Sequence, residues 1–385
     1  MTVYEFVVTA LLCACAAHCV LLDAASILVL LRKARLYALG LLAMAVGRDK
    51  RWRSRRVDAR TVRAARLVES KRLVFVRHGE SEWNRIFNVG PKAIAPFKLA
   101  VALVREAVLF LRGDPGSIFL DAPLTTLGLE QAQAVAALLR EPPAGPTVAL
   151  ELATLRGDAT APRTSVVVSS NLRRAAQTAA LVFQHRLRGG EAVRVLSCLQ
   201  EISNNVDAVA LAPPGAAPDL PRVPAPLRGP GAFDGAGNLG TKPPRGDGRR
   251  RLEAFCAYAL AADEGCVVAV GHSLWFRSFF DEFLPSDAAH VARVAKIRNG
   301  GVVACDLESR LLPSGVPVFS IPPDSVAEIH LGFDVDKLPG RARRGSPAAR
   351  PLVGVPPARS VVLSPIRPAR ARDPASPPRG AKLAL

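Results

Sequence analysis

Residues 77–84 read RHGESEWN and directly follow the apolar run Leu73–Val76. The same arrangement of an apolar run and a polar turn occurs twice more, at Ser165–Val168 with SSNLRR over 169–174 and at Cys266–Val270 with GHS over 271–273. Short runs rich in β-branched residues are typical of strands buried in a parallel sheet. The carboxyl ends of such strands meet at one edge, where open α/β sheets bind their ligands. The sequence therefore predicts an α/β fold with a site at that edge.

The segments between these runs have the periodicity of helices, namely Leu127–Arg140, Leu172–Leu187 and Arg250–Ala262. Weaker strand signals follow at Val302–Cys305 and Ala327–His330. Strands that alternate with helices usually form a parallel sheet that is covered on both faces. We therefore expect a three-layer α/β/α fold with a mostly parallel central sheet, preceded by an N-terminal transmembrane or anchor helix.

The three turns carry side chains that suit a phosphate group. Arg77 and His78 lie in the first turn, Arg174 in the second and His272 in the third. Guanidinium groups bind phosphate oxygens through paired hydrogen bonds. The small residues beside them let backbone N–H groups approach an anion closely. This set of residue types at one sheet edge predicts a site for a phosphorylated ligand.

These blocks, together with LQEI over residues 199–202 and DAPLTTLG over 121–128, closely resemble the histidine phosphatase superfamily, in its phosphoglycerate-mutase-like branch. The resemblance covers roughly residues 71–310. It implies a phosphoryl-transfer enzyme that uses no metal and no other cofactor. Its partner would be a small phosphorylated substrate or a phosphoprotein.

The resemblance also implies a role for each matching residue. The catalytic residues are His78 as the nucleophile that forms a phosphohistidine, Glu201 as the general acid, and His272 as a donor to the phosphoryl oxygens. The phosphate-binding residues are Arg77, Asn84 and Arg174. The neighbouring Arg173 is expected to be solvated, because only one of two adjacent arginines can face the site.

Three functions are compatible with these residues. The first is a metal-independent phosphomonoester hydrolase. The second is a phosphoglycerate mutase, although a Pro/Gly-rich insertion near residues 213–246 stands where mutases of the family build part of their substrate cover. The third is an inactive membrane-anchored scaffold. A second insertion, near residues 85–120, includes the predicted helix Pro96–Leu111 with a stripe of basic residues, Lys98, Arg105 and Arg112.

The net positive charge comes from two flanking segments. Residues 1–31 carry −2 and residues 73–340 are neutral, whereas residues 32–72 carry +11 and residues 341–385 carry +9, which gives the net charge of +18. A neutral catalytic region disfavours a surface that grips nucleic acid, so no specific nucleic-acid partner is expected. Residues 71–340 are predicted to form the catalytic domain, and residues 341–385, which are basic and rich in proline, a disordered tail.

The N-terminus is strongly apolar. Residues 6–31 would form a helix about 39 Å long, against about 30 Å for the hydrocarbon core of a bilayer. We interpret residues 1–31 as a membrane anchor and residues 32–70 as a basic linker. Positive charge after the anchor predicts a single-pass protein with a cytoplasmic catalytic domain. The alternatives are a cleaved signal followed by a transit peptide, which would target an organelle, and a buried soluble helix.

Overall fold

The computed structural model describes residues 23–338 except 89 and 142–145, together with the single residues Glu5 and Thr9. The chain divides into two units, Met1–Val353 and Gly354–Leu385, and the described residues belong to the first. The predicted tail 341–385 therefore lies outside the described residues. The same holds for residues 6–8 and 10–22 of the predicted anchor.

Helices and strands alternate along most of the described chain. The helices are α1 (Ala24–Val46), α2 (Ala59–Ala64), α3 (Glu82–Phe87), α4 (Ala95–Leu111), α5 (Thr126–Leu138), α6 (Pro146–Arg156), α7 (Arg173–Val182), α8 (Gln184–Arg188), α9 (Gly248–Ala261) and α10 (Ser273–Phe283). The strands are β1 (Arg66–Arg77), β2 (Ser165–Ser170), β3 (Val193–Leu196), β4 (Phe233–Asp234), β5 (Cys266–Gly271), β6 (Val302–Leu311), β7 (Pro317–Ser320) and β8 (Ala327–His330). The helix predicted over residues 172–187 is split into α7 and α8 at Phe183.

In the described part of the chain, eight strands form one sheet in the order β4-β3-β2-β5-β1-β6-β7, with β8 paired to β6. Strands β1 to β5 pair in parallel. Strand β6 runs antiparallel to β1, β7 and β8. The sheet is thus mixed and mostly parallel, which agrees with the sequence prediction.

The side chains of β1 alternate between two hydrophobic cores, one on each face of the sheet. Leu73 and Phe75 belong to the core that α9 and α10 cover, and Val74 and Val76 belong to the core under α5 to α8. The ring of Phe75 stacks on Phe276 of α10 with 4.7 Å between ring centroids. Close packing on both faces fixes the direction of β1 and hence the position of the turn that follows it.

Helix α1 begins at Asp23, whose side chain accepts a hydrogen bond from the backbone N–H of Ser26 at 2.6 Å. It continues without a break through the basic residues 32–35, so the boundary predicted between an anchor and a linker at residues 31 and 32 falls inside this helix. Within the described residues, none of the helices combines the length and the apolar composition that a membrane crossing requires.

Lys33 shows how α1 tolerates a charge in its middle. Its ammonium group is buried and donates to the carbonyl oxygens of Asp114 at 3.2 Å and Gly116 at 2.6 Å. The carboxylate of Glu106 on α4 lies 3.4 Å away. A buried charge needs partners of this kind. On the same helix Gly40 packs against the segment around Val206, so α1 lies against the protein.

The segment that follows α1 in the chain is held against the α/β unit by side-chain contacts. Asp49 is buried and pairs with Lys242 and with both terminal nitrogens of Arg251, at 2.7 and 2.9 Å. Trp52 donates its indole N–H to Glu282 at 3.0 Å. This segment thus contacts two cations and a carboxylate of the α/β unit. We call residues 47–58 the N-terminal arm.

Helix α4 confirms the helix predicted over residues 96–111 and leaves an apolar stripe exposed. The stripe consists of Phe97, Val101, Val104, Val108 and Leu111, of which Phe97 is 73% and Val104 65% exposed. These positions recur every three or four residues, so they share one face of the helix. The basic residues of the predicted stripe lie beside them, where Lys98 donates to the Arg85 carbonyl and Arg105 lies 3.7 Å from Glu82.

We propose that this face of α4 lies against an anionic membrane surface, because apolar side chains flanked by basic residues suit the headgroup region. Val104→Glu should weaken binding to phosphatidylserine vesicles about tenfold, since a buried valine contributes about 1.5 kcal/mol or more. Flotation of the full chain with vesicles measures this. Leu150→Glu on α6 changes a similarly exposed side chain and serves as the control. Equal flotation of the two variants would contradict the proposal.

Candidate active site

The turns after β1 and β5 bring two histidines together at the predicted edge of the sheet. Arg77 pairs with Gly271 at the ends of these adjacent parallel strands, so His78 and His272 follow at the same level. Their ring centroids are 5.1 Å apart. Gly79 packs against Gly128 at the start of α5, where a Cβ on either glycine would lie under 2.5 Å from a backbone oxygen of the other turn. This close approach explains why both turns contain glycine.

His78 is held in one tautomer. Its Nδ1 lies 2.6 Å from the Gly79 carbonyl oxygen, which can only accept, so Nδ1 carries the proton. The other nitrogen, Nε2, then has a free lone pair. Burial, and then the charges of Arg174 and Arg77, lower the pKa of His78 well below its usual value. The imidazole is therefore neutral and nucleophilic at neutral pH.

His272 is fully buried beside it. Its Nε2 lies 2.8 Å from the Ser170 hydroxyl, at the end of β2. Its Nδ1 has no hydrogen-bond partner among the described residues. Burial, followed by the charge of Arg174, lowers the pKa of His272 well below its usual value. A neutral His272 can donate one hydrogen bond without adding charge to the site.

Arg174, at the start of α7, supplies a buried positive charge. One terminal nitrogen donates to the Asp207 carbonyl oxygen at 2.8 Å, and the other lies 3.3 Å from the Asp207 carboxylate. The charge of Arg174 contributes to the lowered pKa of both His78 and His272.

Arg77 is the second guanidinium of the site. It donates to the Ile297 carbonyl oxygen at 2.6 Å, and its Nε has no hydrogen-bond partner among the described residues. Burial lowers the pKa of Arg77 to about 10, although the charge of Glu201 opposes that shift. Arg77 still remains positively charged at neutral pH, with donor capacity left for an anion.

Glu201 and Asp207 place two carboxyl groups in the same cavity. Glu201 Oε1 accepts hydrogen bonds from the backbone N–H groups of Ile202 at 3.1 Å and Trp275 at 2.9 Å. Neither of these hydrogen bonds uses Oε2. Asp207 is buried, and its Oδ1 has no partner among the described residues. Burial raises the pKa of Asp207 to about 6; the charge of Arg174 opposes this shift and that of Glu201 adds to it.

Lys242 holds the backbone that carries Glu201. Its ammonium group donates to the carbonyl oxygens of Glu201 at 2.6 Å and Ser203 at 2.5 Å, and it pairs with Asp49 of the N-terminal arm. Burial lowers the pKa of Lys242 to about 8, and the charge of Asp49 opposes this shift. The Pro/Gly-rich insertion, through Lys242, and the arm, through Asp49, thus both support the position of Glu201.

A cavity of about 280 Å³ opens at this edge. Of the predicted site residues, Arg77, Asn84 and Glu201 line it. His78, Arg174 and His272 are buried next to it and are not part of its lining. Asn84 is half-buried and accepts a hydrogen bond from Asn88 at 3.0 Å. The cavity is large enough for a small phosphorylated molecule.

Arg173 is buried, so the prediction that it is solvated is wrong. Its guanidinium donates to the carbonyl oxygens of Ser117, Leu120 and Asp121 at 2.7 to 3.2 Å. The turn before α5 supplies these acceptors, and a sequence pattern cannot show that such a turn will fold over an arginine. Arg173 therefore stabilises the scaffold beside Arg174.

Other residues of the cavity were not singled out from the sequence. Asn299 donates its side-chain N–H to the His78 carbonyl oxygen at 3.0 Å, and Lys296 and Asp334 also line the cavity. One signal for Asn299 was available. Since β6 is antiparallel to β1, the turn that precedes β6 lies at the same edge as the turns that follow the parallel strands. No comparable signal marks Lys242 inside its insertion.

The chain matches the histidine phosphatase superfamily (branch 1) over residues 117–310 and belongs to that family. The matched range includes Arg174, Glu201 and His272, while Arg77, His78 and Asn84 precede it. Membership supports a phosphatase or a mutase-like enzyme. No group of three or more metal-binding side chains occurs among the residues that the structure describes. No curated protein matches the chain.

Several solved structures are similar to the chain at low identity. A protein titled mycobacterial hydrolase 1 is 19% identical over 66% of this chain and 97% of its own, with a TM-score of 0.34. A mycobacterial glucosyl-3-phosphoglycerate phosphatase has the same identity and coverage, with a TM-score of 0.33. A protein from Thermus thermophilus is 20% identical over 60% of this chain and 92% of its own, with a TM-score of 0.27. These similarities transfer neither a substrate nor a residue role to this chain.

Proposed function

We propose that this protein is a metal-independent phosphomonoester hydrolase that acts through a phosphohistidine on His78. The observation that carries the proposal is the state of His78. Its Nδ1 proton is held by the Gly79 carbonyl, and the ring stays neutral beside the half-buried Arg77 and the buried Arg174. A neutral imidazole with a fixed tautomer and cationic neighbours suits attack on a phosphate dianion.

In the first step, Nε2 of His78 attacks phosphorus and the bond to the leaving oxygen breaks. That oxygen takes a proton from a carboxyl group, for which we propose Glu201. In the second step, water attacks the phosphohistidine, gives its proton to the same carboxylate, and the phosphorus–nitrogen bond breaks. Inorganic phosphate and an alcohol are the products, and the carboxyl group ends in its starting state.

The charge that develops on the phosphoryl oxygens needs donors that are already in place. Arg77 has an unpartnered Nε, and His272 has an unpartnered Nδ1 among the described residues. Arg174 is paired with Asp207 in this structure and would exchange that carboxylate for the substrate phosphate. Asn84 would contact the phosphoryl group from the cavity wall.

The mutase reaction is the alternative within the family, and an inactive scaffold is the alternative outside it. A mutase must keep its phosphohistidine away from water until the phosphoryl group returns to substrate. Release of inorganic phosphate, measured against conversion of 3-phosphoglycerate to 2-phosphoglycerate, separates the two enzymes. A scaffold would show neither reaction.

His78→Ala should abolish phosphatase activity without unfolding the protein, because the proposed mechanism assigns the attack on phosphorus to His78 alone. Acid quenching during turnover of a radiolabelled substrate should trap acid-labile phosphate on the wild type and none on the variant. His185→Ala, at an exposed histidine on α8, is the matched control and should retain both signals. Activity within tenfold of wild type in His78→Ala would rule out the phosphohistidine route.

A chelator should leave the hydrolysis rate unchanged. The proposed counter-charges are the guanidinium groups of Arg77 and Arg174, with the neutral imidazole of His272 as a further donor, and together they replace the metal ions that many other phosphoryl-transfer enzymes use. Rates before and after EDTA treatment, with and without added magnesium or zinc, measure this. A loss that divalent metal restores would contradict metal independence.

Glu201→Gln should slow an alkyl phosphate by about 10²–10⁴-fold and 4-nitrophenyl phosphate far less, because only the poor leaving group needs its proton in the transition state. The alkyl rate should fall with rising pH, since only a protonated donor is active.

Asp207→Asn is the companion variant in the same assay. A selective loss on the alkyl substrate in Asp207→Asn, with equal losses on both substrates in Glu201→Gln, would move the proton donor to Asp207. The fall in the alkyl rate would then be centred near pH 6, at the raised pKa of that carboxyl.

A further inference from the structure

A second cavity, of about 250 Å³, adjoins the catalytic one. We call it the cationic cavity, after its charged lining residues, which are Lys50, Arg56, Arg277, Arg293 and Asp281. Four of these are cations and one is an anion. Lys50 and Arg56 come from the N-terminal arm, so this cavity exists only because the arm crosses the α/β unit.

The two cavities share a wall. Leu274 lines both of them. Ile202 lines the cationic cavity, while its neighbours in the chain, Glu201 and Ser203, line the catalytic one. On α10, Ser273 lines the catalytic cavity and Arg277 the cationic one. Residues four apart on a helix share a face and are separated by about 6 Å along the axis.

The positive charge of this cavity is only partly neutralised. The Asp281 carboxylate accepts a hydrogen bond from Arg56 at 2.9 Å and lies 3.4 Å from Arg293. Arg293 also donates to the carbonyl oxygen of Leu284 at 2.8 Å. Lys50 and Arg277 form no ion pair with any residue that the structure describes.

The charge of a neighbouring cation also affects the pKa of Arg293. Burial lowers the pKa of Arg293, Asp281 opposes that change, and the charge of Arg56 adds to the lowering. One carboxylate therefore serves two guanidinium groups, and two further cations line the same space. Unpaired cations in a partly enclosed cavity attract an anionic group more strongly than they do in open water.

We propose that the cationic cavity binds a second anionic group of the substrate. The enzyme then acts on small phosphomonoesters that carry a carboxylate or a further phosphate, separated from the reacting phosphate by roughly the length of one helical turn. This inference rests on the proposed phosphatase function. Carboxylate and phosphate share the chemistry that Arg277 and Lys50 recognise, and the substrates chosen below separate them.

The test compares substrates that differ in the second group and in its distance from the phosphate, with the full chain as enzyme. They are propyl phosphate, the terminal phosphate esters of 3-hydroxypropionate, 4-hydroxybutyrate and 5-hydroxypentanoate, and propane-1,3-diol bisphosphate. At least one substrate with a second anionic group should exceed propyl phosphate in kcat/KM by about tenfold, which is the ordinary effect of one charged hydrogen bond. The carboxylate series reports the spacing, and the bisphosphate reports whether phosphate is preferred.

Variants of the cavity should remove this preference. Arg277→Gln and Lys50→Gln should each lose about tenfold more kcat/KM on the preferred substrate than on propyl phosphate, through KM. Arg277→Lys keeps the charge and should keep most of the preference. Arg250→Gln removes an arginine that is 86% exposed on α9 and should leave every ratio unchanged. Equal kcat/KM for all five wild-type substrates, or equal losses on all of them in Arg277→Gln, would overturn the proposal.

Calorimetry tests the cationic cavity separately from the proposed phosphatase function. Binding of propane-1,3-diol bisphosphate and of propyl phosphate to His78→Ala needs no turnover. About tenfold tighter binding of the bisphosphate, lost in the His78→Ala/Arg277→Gln double variant, supports the cavity even if no substrate is hydrolysed. Equal affinities reject the cavity, whereas a wild-type protein that hydrolyses none of the esters rejects the phosphatase function.

Discussion

Buried positive charge at one edge of the sheet is the constraint on which the rest of this structure depends. Arg174 is buried and Arg77 is half-buried there, and such charges are costly unless they are paired. Arg174 is paired with Asp207, while Arg77 donates to one backbone carbonyl oxygen and its Nε has no partner among the described residues. Burial, and then the charges of these arginines, lowers the pKa of both histidines well below its usual value, so both are neutral. The edge is therefore arranged to receive an anion.

The elements around this edge hold the charged groups in place. Strands β1, β2 and β5 deliver the cations and imidazoles, and the antiparallel β6 brings the turn with Asn299 to the same edge. Lys242 and the arm fix the backbone of Glu201. A layer of packed aromatic rings against β1 limits movement of the strand that leads to His78. Rigid support of this kind is what a preorganised site requires.

The predictions that succeeded depend on local signals. Valine-rich runs identified the buried strands, and fixed short blocks identified His78, Arg174 and His272 as neighbours, because parallel strands end at a common edge. What failed depends on contacts between distant segments. The sequence around Arg173 carries no signal for the carbonyl oxygens that surround its guanidinium. The sequence around Asp49 likewise carries no signal for its ion pair with Lys242. Lys33 closely follows the predicted anchor in the sequence, and only the structure shows that Glu106 of another helix lies 3.4 Å from it.

Gly40 illustrates how far such distant contacts reach. It lies on α1, away from any reacting atom, and a Cβ there would lie 3.0 Å from the side chain of Val206. Val206 precedes Asp207, the counterion of Arg174. A larger residue at position 40 would therefore require the Val206 side chain to move by a few tenths of an ångström. Packing between α1 and this loop thus constrains the residue next to Asp207, on the wall of the catalytic cavity.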